Sequence, residues 1–109
     1  MNDYKNAVTY LDEFSSDDEI LAANAKGGVA DAFVQLNQLD DALGHYEKAV
    51  QTTTNEYTTP KFLFKASIVA LDLGKNAVAV KYLNRIKDEF STSLEAGKVD
   101  ALLGKAQAK

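Results

Sequence analysis

Three segments of the chain repeat one pattern of side-chain sizes. They are YKNAVTYLDEF (4–14), LDDALGHYEKAV (39–50) and NAVAVKYLNRIKDEF (76–90). Each begins with a turn-like polar pair and then a small residue, Ala7, Ala42 or Ala79. A large residue follows four positions on (Leu11, Tyr46, Leu83), and another apolar one three beyond that (Phe14, Ala49, Ile86). A four-then-three spacing is one stripe of an α-helix. The small residues lie 35 and then 37 positions apart. A chain that presents the same helix face at a near-constant interval folds as stacked like units, each burying its stripe against the next.

The rest of the chain agrees with helix throughout. Strand-type alternation is absent, and apolar residues recur at helical spacing. Six helices are expected. The first covers about 3–14, with Val8, Leu11 and Phe14 on one face. Ser16 and Glu19 form a capping box that opens a second helix, reaching to about Leu36 with Ile20, Leu21, Val29 and Phe33 inside. A third runs over about 40–52. The polar stretch TTTNEYTT is a loop, and Pro60, the sole proline, starts a fourth helix because a first-turn position needs no amide hydrogen. Gly74 suits the left-handed cap that closes it near Leu73. The fifth spans about 76–90. Thr92 and Glu95 form a second capping box, which opens the sixth. Short connections make successive helices antiparallel neighbours.

The segment VADAFVQLNQLDDALGHYEKAV resembles a unit of the tetratricopeptide repeat family. Val29, Ala30 and Phe33 take the apolar, small and aromatic places of the first helix. Asn37 stands where glycine usually ends it, and Leu39, Ala42, Tyr46 and Ala49 match the second. In the next unit Ser67, Ala70, Gly74, Ala79, Leu83 and Ile86 occupy the corresponding places. The resemblance implies an all-α, short right-handed superhelix in a single domain (1–109): a trailing second helix at 3–14, repeats at 23–56 and 60–93, and a capping helix at 94–107. The longer proteins it is most similar to are bacterial. This chain looks like the C-terminal part of one, and the resemblance points to the cell envelope if an anchor lies upstream.

Composition narrows the function. With no cysteine among 109 residues, neither disulfides nor thiolate chemistry is available. Sixteen acids against twelve bases give a net charge of −4, the wrong sign for a nucleic-acid footprint. No stretch approaches the ~18 apolar residues of a membrane helix. Asn2 and Asp3 after Met1 do not open a signal peptide.

No catalytic, cofactor or metal site is expected. His45 is the only histidine. With Asp41 four residues back it supplies half a metal site at best, and it reads as helix surface. The serines have capping or packing roles, and none lies in a G-x-S-x-G elbow. Gly27-Gly28 stands out, since each glycine inside a helix costs about 1 kcal/mol against alanine. Close helix approach explains the pair; an open groove floor is the alternative.

Carried over residue by residue, the family resemblance places a peptide-binding groove along the first helices. It assigns Asn24, Gly28, Asp31 and Gln35 from one unit, and Lys61, Phe64, Lys65, Ile68 and Asp72 from the next. The expected function is a non-enzymatic scaffold that holds a protein or peptide segment in this groove. The alternative is self-assembly as a homodimer through the open edge of the first helix, at Val8 and Leu11.

Overall fold

The computed structural model describes residues 18–108. They form five helices and no strands: α1 (Glu19–Gln35), α2 (Leu39–Thr52), α3 (Thr59–Asp72), α4 (Asn76–Glu89) and α5 (Ala96–Gln107). The expected first helix, with Val8 and Leu11, lies outside the described residues, as does Ser16 of the first capping box. The all-α expectation holds for this part of the chain.

The turns explain where the helices stop. Asn37 and Gly74 both take a left-handed backbone, with φ of 59° and 78°. After each, the next amide reaches back five residues, Gln38 to the Phe33 carbonyl and Lys75 to the Ala70 carbonyl, both at 2.8 Å. Asn37 and Gly74 themselves bond to the carbonyls of Val34 and Leu71. This pair of bonds satisfies carbonyls that a helix end otherwise leaves open.

The loop before α3 is tightly bonded. The Asn55 side-chain oxygen accepts from the amides of Tyr57 and Thr58, at 2.8 and 2.7 Å. Thr59 Oγ1 accepts from the Asn55 amide and donates to the Thr53 carbonyl. The helix therefore starts at Thr59, one residue before Pro60. At α5 the expected Thr92–Glu95 capping box is not formed: the N-cap residue is Glu95, with no side-chain cap, and Ser93 braces the turn before it. Ser93 Oγ accepts from the Ala96 amide at 3.2 Å. A run of three-residue backbone turns then carries the chain through Glu95, so Glu95 is not the box partner.

Each helix packs on the next, and α5 also returns to α3. Two layers result: α1, α3 and α5 in one, α2 and α4 in the other. The described residues measure 41 × 30 × 17 Å, and the shortest dimension suits two layers of helix. The four positions that the sequence reserves for small side chains, Ala30, Ala42, Ser67 and Ala79, are fully buried. Around them lie Leu43, Tyr46, Phe62, Leu63, Leu83 and Ile86, joined into one core that extends to Val99 and Leu103 of α5. Each such large side chain contributes about 1.5–3 kcal/mol by leaving water.

The inner face of α1 differs from expectation. Val29 is buried, but Ile20 and Leu21 are 42% and 48% exposed, and Ala22, Ala23, Gly27 and Ala30 are buried with Val29. The helix has 17 residues against 14 in α2. Its first turn therefore overhangs the helix that covers the rest.

Candidate functional site

The α1/α3/α5 layer brings most of the candidate groove together. The close approach of α3 to α1 depends on Gly27. A Cβ built there would lie 2.1 Å from the Phe62 ring, so only glycine lets that ring press against the α1 backbone. Phe62 is buried and stacks on Tyr46 of α2, with centroids 6.0 Å apart. One aromatic side chain thus ties three helices. Of the two readings of Gly27-Gly28, close approach explains Gly27. Gly28 is the open position, with nothing within 4 Å of a Cβ built on it.

Above Phe62 the two lysines of α3 turn toward α1. Lys61 Nζ donates to Asn24 Oδ1 at 2.8 Å and lies 4.7 Å from the Phe62 ring centroid. Lys65 Nζ donates to both oxygens of Asp31 at 3.2 Å. Asp31 also accepts a hydrogen bond from the Tyr46 hydroxyl. Burial pushes that hydroxyl above the usual phenol range, and the Asp31 hydrogen bond and negative charge push it further. The expected groove lysines are therefore both directed toward α1, Lys65 in a half-exposed ion pair.

Phe64 and Ile68 provide the apolar part of this face. Phe64 is half-buried and packs against the core, with Lys98 Nζ of α5 at 5.7 Å from its ring centroid. Ile68 is 40% exposed. Gln35 and Asp72 are exposed at the far ends of their helices. Asp72 lines a separate recess with Leu71, Gly74, Asn76 and Lys105, so it is not joined to the Lys61–Lys65 cluster. Lys98 and Phe62 were not among the expected groove residues. The spacing of α3 alone put Phe62 off the groove-facing stripe, and the place of α5 over Phe64 depends on the 90–95 turn.

His45 lies on the surface of α2 away from this cluster. Its Nδ1–H donates to the Asp41 main-chain carbonyl at 2.9 Å, and its ring lies 4.9 Å from that of Phe33. The contact is to the backbone of Asp41, not to its carboxylate. Among the described residues no three His, Cys, Asp or Glu side chains are grouped to hold a metal ion. No helix among them is long and apolar enough to cross a membrane. The chain matches no protein-family model, no curated protein and no solved structure.

The α1/α3/α5 face combines an open backbone strip at Gly28, an exposed isoleucine, a half-buried phenylalanine and three lysine ammonium groups. Asp31 is the one carboxylate that contacts any of these lysines among the described residues.

Proposed function

We propose that the chain is a non-enzymatic interaction module of tetratricopeptide type, a short right-handed superhelix that holds a peptide or protein segment across the α1/α3/α5 face. The observation that carries this reading is the pair of lysine contacts to α1, Lys61 to Asn24 and Lys65 to Asp31. They direct two cations toward α1, on the side of α3 that carries Phe64 and Ile68. A face already in its binding geometry loses less conformational freedom on association. Charge-assisted contacts from the lysines suit an acidic segment, and Ile68 with Phe64 suits an apolar side chain next to it.

Ile68→Glu and Lys98→Glu test this directly. Ile68 is exposed, and Lys98 is exposed with its ammonium group over the Phe64 ring. Both variants should keep the helical content of the parent. Peptides selected from a random library for binding to the parent should lose at least tenfold in affinity for each variant, since one hot-spot contact is worth about 2 kcal/mol or more. Retained affinity in both would sink the reading. Phe64→Ala is a poorer probe, because it removes core packing as well.

The exposure of Ile20 and Leu21 favours a second reading, self-assembly at the open edge of the array. Two adjacent exposed apolar side chains in the first turn of α1 are suited to pairing with a second copy. Light scattering over a wide concentration range would show a dimer that Leu21→Asp disperses. A monomer at every concentration would remove this alternative.

A further inference from the structure

The other layer carries a site of different chemistry. Between α2 and α4 lies a cleft of about 220 Å³. Its floor is apolar, made by Val50 of α2 and by Leu63 and Ala66 of α3. Its α2 wall holds Glu47, and its α4 wall holds Lys81, Tyr82 and Arg85. The Tyr82 hydroxyl donates to Glu47 Oε2 and braces one wall against the other.

The two walls carry unequal charge. Glu47 is already engaged by Tyr82. Arg85 gives its Nε–H to Glu89 at 3.1 Å, which takes one of the five donors of a guanidinium. Lys81 makes no ion pair among the described residues. Its Nζ lies 5.6 Å from the centroid of the Tyr82 ring. The α4 wall is therefore cationic over an apolar floor, on a protein whose net charge is −4.

Packing of the array does not call for a lysine at position 81, whereas Tyr82 also packs against the core. Asn37 and Gly74 mark the same turn 37 positions apart. At the same offset Lys81, Tyr82 and Arg85 correspond to Gly44, His45 and Lys48, while the small packing residues Ala42 and Ala79 correspond to each other. Gly44 stands in the place of Lys81 with nothing within 4 Å of a built Cβ. The helices thus pack with no side chain at all at that position.

From this geometry we infer a ligand site in the α2/α4 cleft for an aliphatic group of about leucine's size bearing a carboxylate. The aliphatic part lies over Val50 and the Tyr82 ring, with the buried Leu63 and Ala66 beneath them. The carboxylate lies on the α4 side, against Lys81 and Arg85 and away from Glu47. The end of a peptide chain and a medium-chain fatty acid share this chemistry. The site is independent of the α1/α3/α5 face.

The test is an amide NMR titration of the whole chain with N-acetyl-leucine and with octanoate, each beside its neutral amide. Saturable shifts are expected at Glu47, Gln51, Lys81, Tyr82 and Arg85, with an affinity on the order of millimolar for ligands this small. The amide of the better ligand should bind at least tenfold more weakly. The double variant Lys81→Gln, Arg85→Gln should lose about tenfold for the acid and little for the amide, with unchanged helical content. Preference between the two acids identifies chain end or fatty acid. Equal binding of acid and amide, shifts located elsewhere, or no saturable shift with either acid would overturn the inference.

Discussion

Asn37 and Gly74 end the first helix of each hairpin with the same left-handed turn, at φ 59° and 78°. The hydrogen bonds around them correspond one for one. The turn therefore depends on backbone conformation and not on a side chain, since Gly74 has none and Asn37 is exposed. Asparagine tolerates this region better than other residues with a Cβ, and glycine meets no penalty there. Asn37→Ala and Gly74→Ala should each destabilise the fold by about 1 kcal/mol, and Asn37→Gly should be neutral or slightly stabilising. Urea unfolding midpoints at constant slope would measure all three.

Gly27 and Gly28 are adjacent and should respond in opposite directions. A methyl at Gly27 meets the Phe62 ring, which is buried and stacked on Tyr46. Gly27→Ala should cost about 1–3 kcal/mol, in the range of overpacked cores. Gly28→Ala adds a methyl in open space and gains helix propensity, so it should stabilise by up to about 1 kcal/mol. If a peptide backbone crosses α1 at Gly28, the same variant should also weaken peptide capture. Thermal unfolding of the two single variants separates them, and loss of stability in Gly28→Ala would contradict the open position seen in the structure.

The sequence carried the helix pattern well and the side-chain partnerships poorly. Periodicity located four of the five described helices to within a residue or two, because helix ends here coincide with Asn37, Pro60 and Gly74, residues with strong local preferences. The Thr92–Glu95 capping box does not form because a run of turns separates Thr92 from the start of α5 at Ala96, which only the backbone path reveals. Lys61 and Lys65 were placed on one face, but their partners Asn24 and Asp31 lie 37 and 34 positions away, and helix spacing within α3 says nothing about which α1 residue stands opposite. The overhang that exposes Ile20 and Leu21 follows from the relative lengths of α1 and α2, a tertiary property.

Ser67 is a polar residue at a fully buried small position, and its hydroxyl donates to the Leu63 carbonyl at 2.8 Å within its own helix. Size is what this position requires, because Ala30 stands at the same place 37 residues earlier. Ser67→Ala removes a donor without leaving a partner stranded, since the carbonyl keeps its helical bond. It should change stability by less than about 0.5 kcal/mol. Ser67→Val adds volume where there is no room and should cost about 1–3 kcal/mol. Equal effects of the two, read by urea unfolding, would show that polarity and not size sets the residue.

Tyr46 and Tyr82 make stability fall at alkaline pH. Burial comes first among the causes that raise each hydroxyl above the usual phenol range, with Asp31 beside Tyr46 and Glu47 beside Tyr82 adding to it. The protonated phenol is the form that the fold favours. Its contribution is complete below the unfolded value of about 10 and is lost as pH rises through the higher folded value. In that window the unfolded chain has released protons that the folded chain keeps, so unfolding is favoured by at most about 1.4 kcal/mol per pH unit for each tyrosine. Tyr46→Phe should therefore begin less stable at neutral pH, through loss of the bond to Asp31, and lose stability less steeply above pH ~10. Urea midpoints measured at several pH values from about 8 to 11 test the slope, and parent and variant curves that run parallel through this range would show that Tyr46 does not titrate late.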